Sequence, residues 1–256
     1  MIGIGLVTYD RDEKFNKVLS SIELDRVGHV VTLKDGGKPP YKELPYSDKK
    51  IEYHQLEDNK GVGKCKNILL NYLTSKDCEH IFLLEDDCLV KDNGVWDYCI
   101  SFAEESGLLH FNWNDYRHPR FATAEFHKHK AALCHNTEAN FSYFHKKFLE
   151  DIRFDENYMN AWEHIDIELQ GEAKGFLPPF RWFVSPSDLN LYLEDIDTND
   201  SSITNREHYH ERVVSGHHYF EKKWGKKVNE IPRVDGKTFY EKMKQITIKY
   251  ANRNSN

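Results

Sequence analysis

An α/β domain built on a mostly parallel central sheet is what this chain predicts, and three stretches predict it. Ile81-Phe82-Leu83-Leu84 is an apolar run too short for a free-standing helix and without alternation, which suits a strand covered on both faces. It ends in Glu85-Asp86-Asp87, so three acids fall at a strand's carboxyl end, the edge where open α/β sheets bind ligands. Ile2 to Thr8 reads as a first strand, followed by Phe15, Val18, Leu19 and Ile22 at helical spacing. A glycine-rich turn, Asp58 to Asn67, leads into the apolar helix Ile68, Leu69, Leu70, Tyr72, Leu73.

Taken in order, Asp10 or Asp12 is the expected N-cap of the first helix, whose amides would point at the sheet edge. Val27 to Leu33 is a second strand, and the glycines of Lys34-Asp35-Gly36-Gly37 permit a sharp turn after it. Asp35 thus also lies at a strand's carboxyl end. Beyond Pro39-Pro40, Ile51 to Leu56 is a third, edge-like strand. Lys60-Gly61-Val62-Gly63-Lys64 opens a helix in a way that suits phosphate, although its spacing is not that of a Walker loop. Trp96 to Ala103 is a helix and Leu108 to Trp113 a strand.

Asn114 to Lys130, with Arg117-His118-Pro119-Arg120 and His127-Lys128-His129-Lys130, reads as a strand with a solvated face, since no Cys or helical His partner completes a metal site. Phe141 to Phe144 runs into a basic helix through Leu149. Trp162 to Gly175 is a helix stopping at glycine, with Glu163 and Asp166 on one face of its first turn. Phe180 to Val184 is the last strand. A polar connection with Glu194, Asp195, Asp197 and Asp200 follows, and an amphipathic helix around Phe239 to Tyr250 closes the chain.

Composition narrows the function. A chain of 256 residues, 39% hydrophobic and 30% charged, can bury a full core. No apolar stretch nears the roughly 18–20 residues that span a bilayer, and Met1 to Tyr9 lacks a basic leader, so cytoplasmic residence is expected. Cys65, Cys78, Cys88, Cys99 and Cys134 are odd in number and form no CxxC pair, which predicts reduced, mostly buried thiols. The net charge of -7 argues against a general nucleic-acid coat, and the basic tail from Arg206 to Arg253 reads as a solvated helical surface.

Three adjacent carboxylates repel one another and stay ionised most easily around a cation. Glu85 and Asp87, two apart, point to the same side and can share one divalent ion; a solvated acidic turn is the alternative on these residues alone. A carboxylate at Asp35 can accept from the imide of a uracil ring, and an Asp before Gly-Gly is also ordinary turn chemistry.

From Ile2 to about Gly225 these pieces resemble the GT-A fold nucleotide-sugar glycosyltransferases, family 2 type. Thr8-Tyr9-Asp10-Arg11 is similar to the family's Thr-Tyr-Asn-Arg-like segment, and Asp35 to its uracil-binding aspartate. Asn59-Lys60-Gly61 through Lys66-Asn67 resembles Asn-x-Gly-x-x-x-x-Arg-Asn, with Lys66 for the arginine, and Glu85-Asp86-Asp87 resembles the DxD motif, with Glu first. Phe154-Asp155-Glu156 looks like the Phe-Asp-Glu turn, Glu163 to Gly175 like the Glu-Asp-x-Asp-Leu-x-x-Arg helix, and Tyr219 to Gly225 like Tyr-Phe-x-x-Lys-Trp-Gly. Two departures stand out: His164 replaces the usual catalytic Asp, and Gln170 the Arg.

The resemblance implies a GT-A domain over residues 1–200 with a basic helical extension, 201–256, packed on it. It implies a metal-dependent, inverting transfer from a nucleoside diphosphate sugar, UDP-linked, to an acceptor hydroxyl. Thr8, Tyr9 and Asp35 would hold the nucleoside, Asp86 the ribose or donor sugar, and Lys66 would add a contact to the diphosphate. Glu85 and Asp87 would hold Mn²⁺ or Mg²⁺, with a third ligand from His208, His210, His217 or His218. The base stays open among Glu163, His164 and Asp166, since imidazole also accepts a hydroxyl proton near neutrality. The default acceptor is a saccharide; a hydroxymethylated DNA base, as used by some phage enzymes, is the alternative. A metal-dependent phosphohydrolase and an inactive glycan-binding module are the readings outside this class.

Overall fold

The computed structural model describes residues 1–37, 50–114, 120–126, 128–134, 139–159, 161–178, 183–196 and 208–253. Pro39-Pro40, Arg117 to Pro119, His127, Phe180, Asp197 and Asp200 lie outside them. The chain begins β1 (Ile2–Thr8), α1 (Asp12–Ser20), β2 (His29–Lys34), β3 (Ile51–Gln55), α2 (Val62–Ser75), β4 (His80–Glu85) and β5 (Cys88–Val90). It continues α3 (Val95–Ser106), β6 (His110–Asn112), β7 (Arg120–Glu125), β8 (Lys130–Cys134), β9 (Phe141–His145), α4 (Lys146–Leu149) and α5 (Glu163–Ala173). β10 (Phe183–Pro186), α6 (Leu189–Tyr192), β11 (Leu193–Asp195), α7 (Tyr209–Trp224) and α8 (Gly236–Arg253) complete it.

The central sheet runs β3-β2-β1-β4-β9-β6. β3, β2, β1 and β4 are mutually parallel, while β9 is antiparallel to both β4 and β6. The strands beside β1 therefore leave in opposite directions, and the crevice beyond the carboxyl ends of β1 and β4 is the topological switch point. Ile81 to Leu84 are wholly buried, as an unalternating strand requires. Phe82 packs on Trp96 of α3 and on Phe141 and Tyr143 of β9, joining sheet and helix layer in one core. Gly171 is needed on α5 because a Cβ there would sit 2.6 Å from Leu177 and 2.9 Å from Phe148.

Several expectations need correction. The acids do end the strand as expected, with β4 stopping at Glu85 and Asp86-Asp87 turning, but Cys88–Val90 forms a further short strand that pairs with β11. Three adjacent acids are poorly kept in one ladder, and turning sets Glu85 against Lys66 while Asp86 and Asp87 share Arg11. Glu194 and Asp195 accordingly belong to a strand rather than a polar connection. Asn114 to Lys130 is no single strand with a solvated face; β7 and β8 pair as antiparallel neighbours. His129 is buried, bonded to Ser101 at 2.9 Å and packed on the Tyr98 ring.

Neither Asp10 nor Asp12 caps α1. Arg11 stands at the N-cap without a side-chain cap bond, because Asp12 instead lies 2.8 Å from the buried Lys34 ammonium, which needs a counter-charge. The five cysteines form no disulfide and are buried. α7 contributes Phe220 to a small cluster with Tyr158, Ile165, Leu169 and Phe183, while α8 sends Phe239 and Met243 into the main core. Among the described residues no helix is long and apolar enough to cross a membrane.

Candidate active site

The carboxyl edge of the sheet gathers the acids singled out in the sequence. At the end of β2, Asp35 accepts from the amides of Lys60 (2.7 Å) and Gly61 (3.1 Å), so it also ties down the loop entering α2. That loop comes so close that a Cβ at Gly36 would lie 2.5 Å from the Asn59 nitrogen. Gly36 and Gly61, at φ +77° and +89°, take left-handed conformations that suit glycine. At the end of β1, the Thr8 hydroxyl donates to Asp86 at 2.5 Å across the switch-point crevice. Tyr9 follows at half-buried level, next to Asp10 at φ +52°.

The acid turn is neutralised from within the chain. Arg11 pairs with Asp86 and lies 3.2 Å from Asp87, and Lys66 lies 2.9 Å from Glu85. Burial lifts the Asp86 carboxyl above its ordinary value against the pull of Arg11 and Thr8. Asp87 is pushed up to about 7, first by burial and then by the neighbouring Glu85 charge, with Arg11 opposing both. Asp195, brought alongside by the pairing of β11 with β5, adds to that push. Lys66 was expected to touch the diphosphate. It is instead 2% exposed and packed over the Phe154 ring at 5.5 Å, so it acts as a buried counter-charge. Burial pulls its ammonium down, but Glu85 and then Glu163 more than reverse that.

Lys66 thereby connects the acid turn to the first residue of α5. Burial raises the Glu163 carboxyl, yet His164 and Lys66 outweigh burial and hold it at about 2. The His164 Nδ1 stands 3.7 Å from Glu163 Oε1, and its ring, 22% exposed, lies 5.6 Å from that of Phe183. Asp166 is placed differently from Glu163. It is fully buried and accepts from Gln170 (2.7 Å), Trp224 (2.8 Å) and Lys223 (3.0 Å). All its strong partners are thus structural, and the expected role as a base does not suit it. Lys223 also reaches Asp155 at 2.7 Å, and Asn67 clasps Phe154 through both its amide groups. The helix, turn and tail motifs therefore meet in one polar joint.

Buried acceptors near the acid turn and the start of α5 that find no donor among the described residues include Asp87 Oδ1, Glu163 Oε2 and Asn140 Oδ1. Asn140 joins the acid turn through its carbonyl, which accepts from Glu85 N at 2.9 Å. Such unspent oxygens fit a hard divalent cation held by one or two carboxylates, with phosphate and water supplying the rest. Among the described residues no three His, Cys, Asp or Glu side chains form a complete metal cage. Of the histidines expected to supply a third ligand, His208 pairs with Glu211 and His217 packs on Trp162. Arg11, Asn140 and Asp195 were not singled out from the sequence. Arg11 alone left a signal there, as the last residue of the Thr8-Tyr9-Asp10-Arg11 segment that follows the first strand.

The fold and this edge define a GT-A architecture, that of the nucleotide-sugar glycosyltransferases. Over 98% of its length the chain is similar to 73% of the mannosyltransferase PcManGT from Pyrobaculum calidifontis, in complex with GDP-Man and Mn²⁺, at 12% identity and a TM-score of 0.56. It is similar over 65% of its length to 39% of GalNAc-T7 with UDP, GalNAc and Mn²⁺, at 10% identity and a TM-score of 0.50. The S. aureus TarS structure of residues 1-349 aligns with 98% of this chain and 71% of its own, at 13% identity and a TM-score of 0.49; of a longer TarS structure the chain spans 32%. No protein-family model matches the chain, and no curated protein does.

Proposed function

We propose that this protein transfers a sugar, with inversion, from a UDP-linked donor to a saccharide hydroxyl. The observation that carries this reading is the buried Lys66, which sets the Glu85 acid turn and the Glu163-His164 turn on either side of one ammonium. Donor chemistry and acceptor chemistry need just such neighbouring stations. The complexes of similar fold with nucleotide sugars or their parts and Mn²⁺ support the donor class.

In this reading Asp35 accepts the uracil imide proton beside Thr8 and Tyr9, its carboxylate having lone pairs beyond those taken by two amides. Bound by Glu85 and Asp87, Mn²⁺ or Mg²⁺ would neutralise the charge growing on the leaving diphosphate. The acceptor oxygen attacks the anomeric carbon from the face opposite the diphosphate, and the bond to the diphosphate oxygen breaks. His164 takes the hydroxyl proton. Glu163, ionised and buried, holds the imidazole and stabilises the positive charge it gains, as a carboxylate beside a histidine base does. Asp166 fixes α5 against α7, and so aims the turn that carries both.

A thermal-shift panel of UDP- and GDP-sugars with and without Mn²⁺ tests the donor step. At about a hundredfold excess over Kd, the matching donor with Mn²⁺ raises the melting temperature by about 5–10 °C. Mass analysis of saccharide and hydroxymethylated-DNA acceptors then reads the product. Absence of any Mn²⁺-dependent shift, or unimpaired transfer by Asp87→Ala, overturns the reading, and label on DNA alone overturns the acceptor.

A further inference from the structure

Arg11 holds carboxylate oxygens that lie where the proposed ion must bind. Its guanidinium pairs with Asp86 and spans to Asp87 Oδ2 at 3.2 Å, with side-chain exposures of only 14%, 2% and 15%. The backbone beneath it is fixed: the Arg11 carbonyl accepts from Phe15 N at 2.9 Å, and α1 is tied to β2 through Lys34 and Asp12. Only the long arm is left to move. A divalent ion on Asp87 can start from Oδ1, which has no donor among the described residues, but it cannot share this turn with a guanidinium without strong repulsion.

We propose that Arg11 is a resident cation of the Asp86-Asp87 turn, and that it competes with the divalent ion for these carboxylates. The proposal rests on the reading of Glu85 and Asp87 as ion ligands. The turn keeps its shape when the arm leaves, since Thr8 still holds Asp86 and Lys66 still holds Glu85. A displaced guanidinium tethered beside the crevice has the donor diphosphate as its natural partner, through paired N–H donors. Ion entry and donor capture then become one exchange, in which the ion takes the carboxylates and Arg11 takes phosphate.

The test is calorimetric titration of the nucleotide-free protein with Mn²⁺ at pH 7.5. Arg11→Gln is expected to bind Mn²⁺ at least tenfold more tightly than the unmodified chain, and Mn²⁺ is expected to raise its melting temperature by more. Equal or weaker binding by Arg11→Gln overturns the competition. Should that variant fail to fold, Arg11→Lys, which keeps a charge but not the fork, is expected to gain threefold or more, and an unchanged affinity overturns it equally. Failure of the underlying ion site reads differently: neither the unmodified chain nor any variant then binds Mn²⁺, with or without UDP or GDP, and reading and proposal fall together.

Discussion

Lys66 Nζ lies 2.9 Å from Glu85 Oε1 with the lysine side chain 2% exposed, and this single ammonium faces both the acid turn and Glu163. Replacing it by Met keeps the stem and removes the charge, leaving two carboxylates without their common cation. Breaking a buried pair from one side costs about 3–5 kcal/mol, and the partial exposure of Glu85 puts Lys66→Met near 3. Urea unfolding of Lys66→Met, Glu85→Gln and the double variant measures it. The double variant is expected to be more stable than Lys66→Met alone; strictly additive losses would refute the coupling.

His164 is the more exposed member of the Glu163-His164 pair and stands in for an acid in the resembled sequence pattern. Loss of a general base slows the chemical step by about 10²–10⁴ without touching donor binding. His164→Ala should therefore lower kcat on that scale while the Mn²⁺-dependent donor affinity stays within about twofold. His164→Asp should recover part of the rate, with a pH profile shifted toward acid as a carboxylate replaces an imidazole. A rate for His164→Ala within threefold of the unmodified chain would move the base elsewhere.

Asp166 receives Trp224, Lys223 and Gln170 at full burial, so its removal leaves the Lys223 ammonium with Asp155 alone and takes the acceptor from Trp224 and Gln170. Asp166→Ala is expected to destabilise by about 3 kcal/mol, and Trp224→Phe, losing one bond to a charged acceptor, by about 1.5. The same joint carries an acid dependence. Burial raises the Asp155 carboxyl, but Lys223, Asn157 and Tyr219 bring it to about 2, below its unfolded value of about 3.9. The folded state therefore gains from Asp155 above about pH 4 and loses that gain as the pH falls toward 2. Lys223→Met should weaken this loss, as unfolding followed from pH 5 to pH 2.5 would reveal.

The parts of this fold legible in the sequence are those whose geometry is written locally. Ile81 to Leu84 declares a covered strand by lacking alternation, and Gly61 and Gly36 mark turns that left-handed φ values require. Glu85 to Asp87, Asp35 and Glu163 could be placed because each ends or begins such an element. Partner choice was not local. Asp166 appeared equivalent to Glu163 one helical turn away, yet its fate is decided by Lys223 and Trp224, 57 and 58 residues downstream. β11 is three residues long and two of them, Glu194 and Asp195, are acids, so only its pairing with β5 identifies it. Arg11 could be quoted only as part of the Thr8-Tyr9-Asp10-Arg11 segment, because nothing there shows that Asp86 and Asp87 lie across the crevice.

His145 should make the protein acid-sensitive well above the carboxylate range. It caps α4, its Nδ1 accepting from Lys147 N at 3.1 Å, so the cap requires an unprotonated ring nitrogen. Burial, then the nearby His80, bring His145 down to about 4, with Glu79 at 3.4 Å opposing them. Its unfolded value is about 6.5, so between pH 6.5 and 4 the unfolded chain binds the additional proton. Stability from this site is complete above about pH 6.5 and declines as the pH falls to 4, by at most about 3 kcal/mol. His80, also lowered by burial and bonded to Tyr143, steepens the same limb. His145→Phe removes the titration at the cost of the cap, about 1 kcal/mol at pH 8. Urea unfolding at pH 8, 6 and 4.5 should thus show the variant weaker at pH 8 and closer to the unmodified chain at 4.5; parallel curves across that range would show that protonation of His145 does not govern the decline.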